Sequence, residues 1–153
     1  MIRLAEFDDM QVQDLLRIHL HGMHKNSPIE HSFALDLTAL QQPEISFFTL
    51  WEQNELLACG AIQELSSTHA ELKSMRTHPQ HLRKGAATEM LKHLLMIAQQ
   101  RKYQKLSLET GTHLSFEPAI CLYKKFGFIK GASFSEYQES DFNQFYHLDL
   151  STQ

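Results

Sequence analysis

The feature that most constrains the fold is an apolar stripe of helical spacing in the second half of the chain. Its members recur three and four residues apart; they are Ala87, Met90, Leu91, Leu94, Leu95 and Ala98. Segments that are predicted to be strands flank it at residues 70–77 and 105–109. Because a helix with one apolar face between two strands has to cover a sheet, the sequence predicts an α/β fold.

Other patterns extend this arrangement along the chain. They predict a strand at residues 2–5, a helix at 10–21, a short helix within 33–40, and a hairpin of strands 45–51 and 56–65 around Gln53-Asn54-Glu55. After the stripe they predict a helix at 116–126, capped by Ser115 and ended by Gly127, and closing strands at 128–130 and 145–150. This order predicts a mixed sheet with helices packed on it rather than a regular parallel repeat.

Length and composition favour one cytoplasmic domain. The 153 residues contain no internal repeat and no Gly/Ser linker, so we expect a single domain over residues 1–153. No apolar run reaches the roughly 20 residues that span a bilayer, and the first residues lack the apolar region of a signal peptide. The two cysteines, Cys59 and Cys121, lie in apolar patterns, and we expect both to be reduced core residues.

The charge distribution suggests a small anionic ligand. The formal net charge of -4 argues against a general nucleic-acid binder, but residues 73–105 carry +7 and the rest of the chain carries -11. Arg83, Lys84 and Gly85 stand where the amphipathic helix begins. The first N–H groups of a helix have no internal partners, so they can wrap a phosphate or pyrophosphate. A glycine required only for helix–sheet packing is the alternative.

The histidine spacing does not predict a metal site. Three of the ten, His19, His21 and His24, cluster near the end of the first predicted helix. Spacings of two and three residues converge poorly on a metal ion, so we expect no metal. They are more simply read as exposed groups that titrate near neutrality.

Three runs in the second half together resemble the GNAT superfamily of acyl-CoA-dependent N-acetyltransferases. They are Leu72-Lys73-Ser74-Met75-Arg76-Thr77-His78-Pro79-Gln80-His81-Leu82-Arg83-Lys84-Gly85-Ala86-Ala87, Leu106-Ser107-Leu108-Glu109-Thr110 and Ala119-Ile120-Cys121-Leu122-Tyr123-Lys124-Lys125-Phe126-Gly127-Phe128. The resemblance implies a mixed, mostly antiparallel sheet of six to seven strands, splayed in the middle, with about four helices. It implies acceptor-side elements over about residues 1–65 and an acyl-CoA-binding core over about 70–130.

The family's phosphate loop, Q/R-x-x-G-x-G/A, maps onto residues 82–87. The resemblance implies that backbone N–H groups there bind the pyrophosphate of acetyl-CoA, with cofactor-binding residues Leu82, Arg83, Lys84, Gly85, Ala86, Ala87 and Thr88. Leu82 departs from the family's Gln or Arg and removes one contact, which Arg83 and Lys84 can replace.

The strand before this loop is expected to hold the pantetheine arm. The resemblance implies that Met75, Arg76 and Thr77 pair their backbone with it, as a peptide adds to a sheet edge. It also implies that an N–H near Met75 or Arg76 polarises the thioester carbonyl.

Tyr123 is the first candidate for catalysis. It stands at the tyrosine position of the family's L-Y-x-x-x-G-F motif, so the resemblance implies that its phenol protonates or hydrogen-bonds the leaving thiolate and contacts the cofactor. A tyrosine that only packs between helix and sheet is the alternative.

Two carboxylates are candidates for the base that deprotonates the attacking amine. They are Glu109, which ends its strand beside the expected splay, and Glu71, on the strand that faces the thioester; each could equally be a plain surface carboxylate. The loop at residues 111–116 places Phe116 where the family often has an asparagine. His113 is a speculative substitute for that hydrogen bond.

The sequence thus predicts an acetyl-CoA-dependent N-acetyltransferase that acts on a primary amine, with no nucleic acid, membrane or metal as partner. A homodimer is left open. We expect residues 21–40, residues 110–116 and the segment around Tyr137 to form the acceptor pocket. Acidic residues on its rim favour a cationic amine; they are Glu30, Asp36, Glu136, Glu139 and Asp141. A non-catalytic acyl-CoA sensor, suggested by Leu82 and Phe116, is the alternative.

Overall fold

The strands and long helices follow one another in the predicted order. This computed structural model describes residues 1–21 and 37–151, with only the backbone of His21. In chain order the elements are β1 (Ile2–Leu4), α1 (Met10–His21), β2 (Ile45–Glu52), β3 (Glu55–Glu64), β4 (His69–Thr77), α2 (Ala86–Gln100), β5 (Lys105–Gly111), α3 (Glu117–Lys125), β6 (Ile129–Gly131) and β7 (Asn143–Asp149). Residues 37–40 are also helical, and the rest of the predicted short helix lies outside the described residues.

The strands form one seven-stranded sheet in the order β1-β2-β3-β4-β5-β7-β6. β1 pairs antiparallel with β2, and β7 pairs antiparallel with both β5 and β6. β4 and β5 pair in parallel over three residue pairs, from His69 with Lys105 to Glu71 with Ser107, and both strands continue beyond that ladder. The mixed sheet that the sequence pattern predicts, and its mostly antiparallel pairing that the resemblance implies, are therefore confirmed.

Two compact units make up the chain. The first unit comprises residues 1–62 and 74–94, and the second comprises residues 63–73 and 95–153. β4 contributes its first five residues to the second unit and its last four to the first.

No helix within the described residues is long and apolar enough to cross a membrane.

The first unit has helices packed on β2 and β3. The inward residues of α1 join residues of both strands in one core; this core contains Val12, Leu15, Leu16, Leu20, Leu40, Phe47, Trp51, Leu56, Cys59 and Ala61. A Cβ at Gly60 would lie 2.8–3.0 Å from atoms of Met75, Met90 and Leu94. Because neighbouring strand residues point to opposite faces, α2 covers the face that α1 leaves, and the Met75 side chain lies on that face too.

The second unit has one apolar and one polar sheet face. Leu106 and Leu108 of β5 pair with Leu148 and Tyr146 of β7, and all four are buried. The opposite face carries the polar residues and is called the polar face, although the buried Phe145 also lies on it. Its polar residues include His69, Glu71, Ser107, Glu109 and His147. Strand alternation alone places these residues on one face of the sheet, because side chains two positions apart share a face.

Turn conformations explain two predictions that are confirmed. Gln53 and Asn54 have φ angles of 50° and 65°, and such a pair of positive φ values suits the twist of a two-residue hairpin loop. Gly127 has a φ of 100° at the end of α3, in the left-handed region that favours glycine after a helix.

Two predictions are wrong. Ser115 does not cap α3: a 3₁₀ turn, Leu114–Phe116, precedes the helix, and Nδ1 of His113 accepts a hydrogen bond from the Ser115 N–H at 3.0 Å. Cys121 is exposed rather than a core residue, because it lies on the outer side of α3, whereas Cys59 is buried; both thiols are free.

Candidate active site

The loop that joins β4 to α2 has the backbone conformation of an anion site. Arg83 and Gly85 have φ angles of 65° and 80°, and Leu82, Arg83, Lys84 and Gly85 are exposed. The N–H of Glu89 bonds to the Gly85 carbonyl at 3.0 Å, so the N–H groups of Ala86, Ala87 and Thr88 precede the first helical bond. Successive N–H groups in such a turn form a concave anion-binding nest.

The backbone conformation, and not close packing, requires a glycine at position 85. No atom lies within 4 Å of the position that a Cβ would occupy, whereas the positive φ is one that L side chains rarely adopt. The packing alternative for this glycine is therefore wrong. The space left by the absent side chain is open to a ligand.

A short chain of polar side chains orients Lys84 at this loop. Lys84 Nζ donates to His81 Nδ1 at 3.0 Å, and His81 Nε2 lies 3.1 Å from Oε2 of Glu55. Because an ammonium can only donate, neutral His81 carries its proton on Nε2 and donates it to Glu55. The loop thus holds at least one cation in a fixed place beside exposed Arg83.

The end of β4 is bulged at Ser74, whose φ is 55°. The Cys59 thiol donates to the Ser74 carbonyl at 3.3 Å and accepts a hydrogen bond from the Arg76 N–H. The Arg76 side chain donates from Nε to Nδ1 of His19 at 3.1 Å. Met75, Arg76 and Thr77 are the last three residues of β4. The N–H groups of Met75 and Arg76 are the two candidates to polarise the thioester carbonyl, and that of Arg76 already faces the Cys59 sulfur.

The two thiols should differ strongly in reactivity. Burial raises the pKa of Cys59 to about 12, although the Arg76 charge and its N–H oppose this shift. At pH 8 only about one Cys59 thiol in 10⁴ is then a thiolate, which is the reactive form. We expect the folded protein to give one fast-reacting thiol with a chromogenic disulfide, and the unfolded protein to give two. Cys121→Ser removes the fast phase, and a fast phase that survives this change contradicts the assignment.

Glu71 is a buried carboxyl group paired with a phenol. It is 3% exposed, and its Oε2 accepts a hydrogen bond of 2.5 Å from the Tyr137 hydroxyl. Burial raises the pKa of Glu71 above its ordinary value, and the nearby charge of Glu109 adds to this, while the Tyr137 hydrogen bond and Lys73 oppose it. Burial also raises the pKa of Tyr137, as does its bond to Glu71. Glu71 is thus not a plain surface carboxylate.

Glu109 lies on the same polar face, two residues beyond Ser107, in a more accessible setting. It is partly exposed, and its Oε2 accepts a hydrogen bond from Asn143 Nδ2 at 3.3 Å. Both candidate bases therefore belong to the second unit, and of the two Glu71 has the environment that tunes a carboxyl group toward neutral pH.

Tyr123 is buried in the second unit, with 6% of its surface exposed. Its ring makes an edge contact with Phe128 at 5.6 Å, and burial raises its pKa to about 12. Within the part of the chain that the structure describes, no hydrogen bond occupies its hydroxyl group. A buried phenol that keeps its proton and bonds to none of the described residues is available to donate to a ligand.

The loop at residues 111–116 is occupied by structural contacts. His113 caps the 3₁₀ turn and lies 2.9 Å from the Ser115 hydroxyl, while the Phe116 ring packs where a Cβ at Gly111 would stand. His113 therefore has a capping role through Nδ1, and its speculative ligand role stays a prediction. The acidic positions Glu30 and Asp36 lie outside the described residues, as do residues 22–36 of the expected pocket.

Sequence reasoning missed the partners of both carboxylates. Tyr137 was expected only as part of a pocket rim, and Asn143 was not expected at all. Glu71 and Tyr137 are 66 residues apart, so no local pattern links them. The phosphate-loop residues, with Met75, Arg76 and Thr77, lie in the first unit, and Glu71, Glu109, Tyr123 and Tyr137 lie in the second.

The chain is similar to a known protein family and to two curated proteins. The family profile described as the acetyltransferase (GNAT) family matches residues 12–128. The chain is 47% identical to the uncharacterised N-acetyltransferase YsnE of Bacillus subtilis, over 90% of this chain and 91% of that protein. It is 42% identical to the uncharacterised N-acetyltransferase YedL of Escherichia coli, over 97% of this chain and 94% of that protein.

A solved structure shares the fold. A GNAT family acetyltransferase of Elizabethkingia anophelis with acetyl-CoA bound superposes with a TM-score of 0.70, over 98% of this chain and 97% of that one, at 18% identity.

Proposed function

Because the chain belongs to the GNAT family of acetyltransferases, we propose that it transfers the acetyl group of acetyl-CoA to a primary amine of a small molecule or peptide by direct nucleophilic attack. The observation that carries this proposal is the nest at residues 83–88, an exposed backbone site for a pyrophosphate. The acetyl-CoA bound to the Elizabethkingia relative supports the choice of cosubstrate.

The cosubstrate would be held by backbone and by charge. N–H groups at Ala86, Ala87 and Thr88 would donate to the pyrophosphate, and Arg83 and Lys84 would neutralise it. Leu82, at the start of the loop, is 58% exposed and offers no polar atom there beyond its backbone. The pantetheine arm would lie along Met75, Arg76 and Thr77, and the Met75 N–H is the better candidate for the thioester oxygen because the Arg76 N–H faces Cys59.

Glu71 would act as the base and Tyr123 as the group that assists departure of the thiolate. The amine nitrogen forms a bond to the thioester carbon, the carbon–sulfur bond breaks, and the amine proton passes to Glu71. The Tyr123 pKa of about 12 exceeds the roughly 8.5 of an ordinary thiol. The phenol therefore stabilises the thiolate mainly by donating a hydrogen bond, and the sulfur gains its proton from water.

The acceptor is proposed to be cationic. Exposed Glu136, Glu139 and Asp141 lie between β6 and β7, in the same stretch as Tyr137. Their charge would draw an ammonium group toward Glu71 and Glu109.

Catalysis is favoured over the alternative of a non-catalytic sensor. Both curated relatives are named as N-acetyltransferases, and the Tyr123 hydroxyl, which bonds to none of the described residues, is available to assist a leaving group. Release of CoA thiol from acetyl-CoA with a panel of amines separates the two functions, because a sensor binds acetyl-CoA without turnover.

Gly85→Ala tests the phosphate loop. The positive φ costs an alanine about 1–2 kcal/mol, so the loop should relax and lose its nest. We expect acetyl-CoA binding to weaken about tenfold. At a concentration 100 times the wild-type dissociation constant, acetyl-CoA then raises the free energy of unfolding by about 2.7 kcal/mol in the wild type and by about 1.4 kcal/mol in the variant.

Gly127→Ala is the matched control, since Gly127 also has a positive φ but follows α3. It should lower stability and leave the increase caused by acetyl-CoA unchanged. Equal increases in wild type and Gly85→Ala would contradict the loop assignment.

A further inference from the structure

The connection between β6 and β7, residues 132–142, is anchored to the polar face of the second unit. At its start the Ala132 carbonyl accepts a hydrogen bond from His147 Nε2 at 2.7 Å. At its end the Asp141 carbonyl accepts one from the Thr112 hydroxyl at 2.8 Å. Between these anchors Tyr137 reaches Glu71. One end of the connection is therefore held by β7 and the other by the residue that follows β5.

Phe134 is the buried centre of this connection. Its ring lies 5.2–5.9 Å from the rings of Tyr137, Phe145, His147 and His69. Tyr137 also contacts Phe145 at 6.0 Å, and its N–H bonds to the Phe134 carbonyl. These ring contacts set the position of the Tyr137 side chain independently of its hydroxyl group.

A chain of three side chains lies beneath Phe134. His69 Nε2 is 2.7 Å from the Ser107 hydroxyl, which is 2.7 Å from His147 Nδ1. Because His147 donates from Nε2 to Ala132, a neutral His147 must accept at Nδ1, so Ser107 donates to it and accepts from His69. Ser107 is 0% exposed, and each proton in this chain therefore has a defined direction.

We propose that the Tyr137 hydroxyl relays the proton of the acceptor amine to Glu71, and that the His69–Ser107–His147 chain positions it for this step. The proposal rests on the proposed function. Glu71 is almost inaccessible, whereas the Tyr137 side chain is only half-buried and its hydroxyl already donates to the carboxylate. An amine that approaches this face meets the phenol oxygen before the carboxylate.

The relay balances without a further reactant. The amine nitrogen gives its proton to the Tyr137 oxygen as Tyr137 gives its own to Glu71 Oε2, so the phenol ends neutral and the carboxylate ends protonated. The phenol does not have to ionise, which agrees with the environment that disfavours its phenolate. Other charges around this pair are Glu109 and Lys73.

Tyr137→Phe tests the relay, because it removes one oxygen atom and keeps the ring contacts. We expect kcat for amine acetylation to fall about 100-fold, with the KM for acetyl-CoA unchanged. In a Glu71→Gln background the same substitution should change kcat less than about threefold, because the relay then has no acceptor. A kcat within twofold of wild type, or an equal loss in both backgrounds, overturns the relay.

Ser107→Ala tests the positioning chain. We expect kcat to fall about tenfold, Ser107→Thr to restore it, and Ser107→Ala to have no further effect on kcat in the Tyr137→Phe background. Thr49→Val is the matched control, since Thr49 is also 0% exposed and hydrogen-bonded but lies in the first unit. An unchanged kcat in Ser107→Ala, or a loss that persists beside Tyr137→Phe, overturns the positioning role.

The two proposals can fail separately. If the wild type releases no CoA with any amine, the proposed function fails. If the wild type is active and Tyr137→Phe is equally active, only the relay fails.

Discussion

Replacing Glu71 by glutamine is expected to lower kcat for amine acetylation about 1,000-fold, within the range that a lost general base causes. The side chain keeps its shape and can still accept from Tyr137, but it cannot take a proton. Its pKa is raised above the ordinary value of 4.5, and the active form is the deprotonated one. The wild-type kcat/KM should therefore fall as the pH falls through that raised pKa.

Stability gives a second readout for the same substitution. The folded state binds the Glu71 proton more tightly than the unfolded state, so the ionised carboxylate lowers stability above the raised pKa. A glutamine at this position does not ionise, so it does not lower the stability of the folded state in this way. The melting temperature of Glu71→Gln minus that of the wild type should thus be more positive at pH 8 than at pH 5. Glu109→Gln is the control, and a large loss of kcat there with little loss in Glu71→Gln would assign the base to Glu109.

Replacing Tyr123 by phenylalanine is expected to lower kcat about 100-fold while acetyl-CoA binding and stability stay near those of the wild type. The substitution removes the donor to the leaving sulfur. Because that hydroxyl makes no hydrogen bond with the described residues, the folded protein loses none by this change. The measurements are steady-state kinetics and thermal unfolding with and without acetyl-CoA.

Tyr103→Phe is the matched control for Tyr123→Phe. Tyr103 is 5% exposed, and its hydroxyl donates to Glu64 Oε1 at 2.8 Å. This variant should lose about 1.5–3 kcal/mol of stability, as expected for a hydrogen bond to a charged group, and keep its kcat. If Tyr123→Phe instead lost stability and kept kcat, Tyr123 would be a packing residue.

Local patterns predict most of the fold because each depends on residues close in sequence. The 3.6-residue spacing around Met90, Leu91 and Leu94 identifies the buried side of α2, and all three are fully buried. Backbone requirements are equally local, as at Gly127. Errors occur where competing local groups differ by little. A 3₁₀ turn capped by His113 precedes α3, so Ser115 does not cap that helix, and Cys121 lies on the exposed side of α3.

The candidate site is less predictable because its contacts depend on strand register. The pairing of Glu71 with Ser107, and of Ser107 with His147, joins segments about 40 residues apart. Alternation assigns these side chains to one face, and this register makes Glu71 and His147 the neighbours of Ser107. The motif around Tyr123 predicts its position in the chain. The burial of its hydroxyl among described residues that do not bond to it, and the pairing of Tyr137 with Glu71, require the three-dimensional structure.

The most direct test of the account is the initial rate of CoA thiol formation from acetyl-CoA, with and without primary amines, for the wild type and Tyr123→Phe. The account predicts a saturable rate that depends on at least one cationic amine and falls about 100-fold in the variant. Acetyl-CoA that stabilises the fold but yields no amine-dependent CoA, with wild type and variant alike, would contradict it.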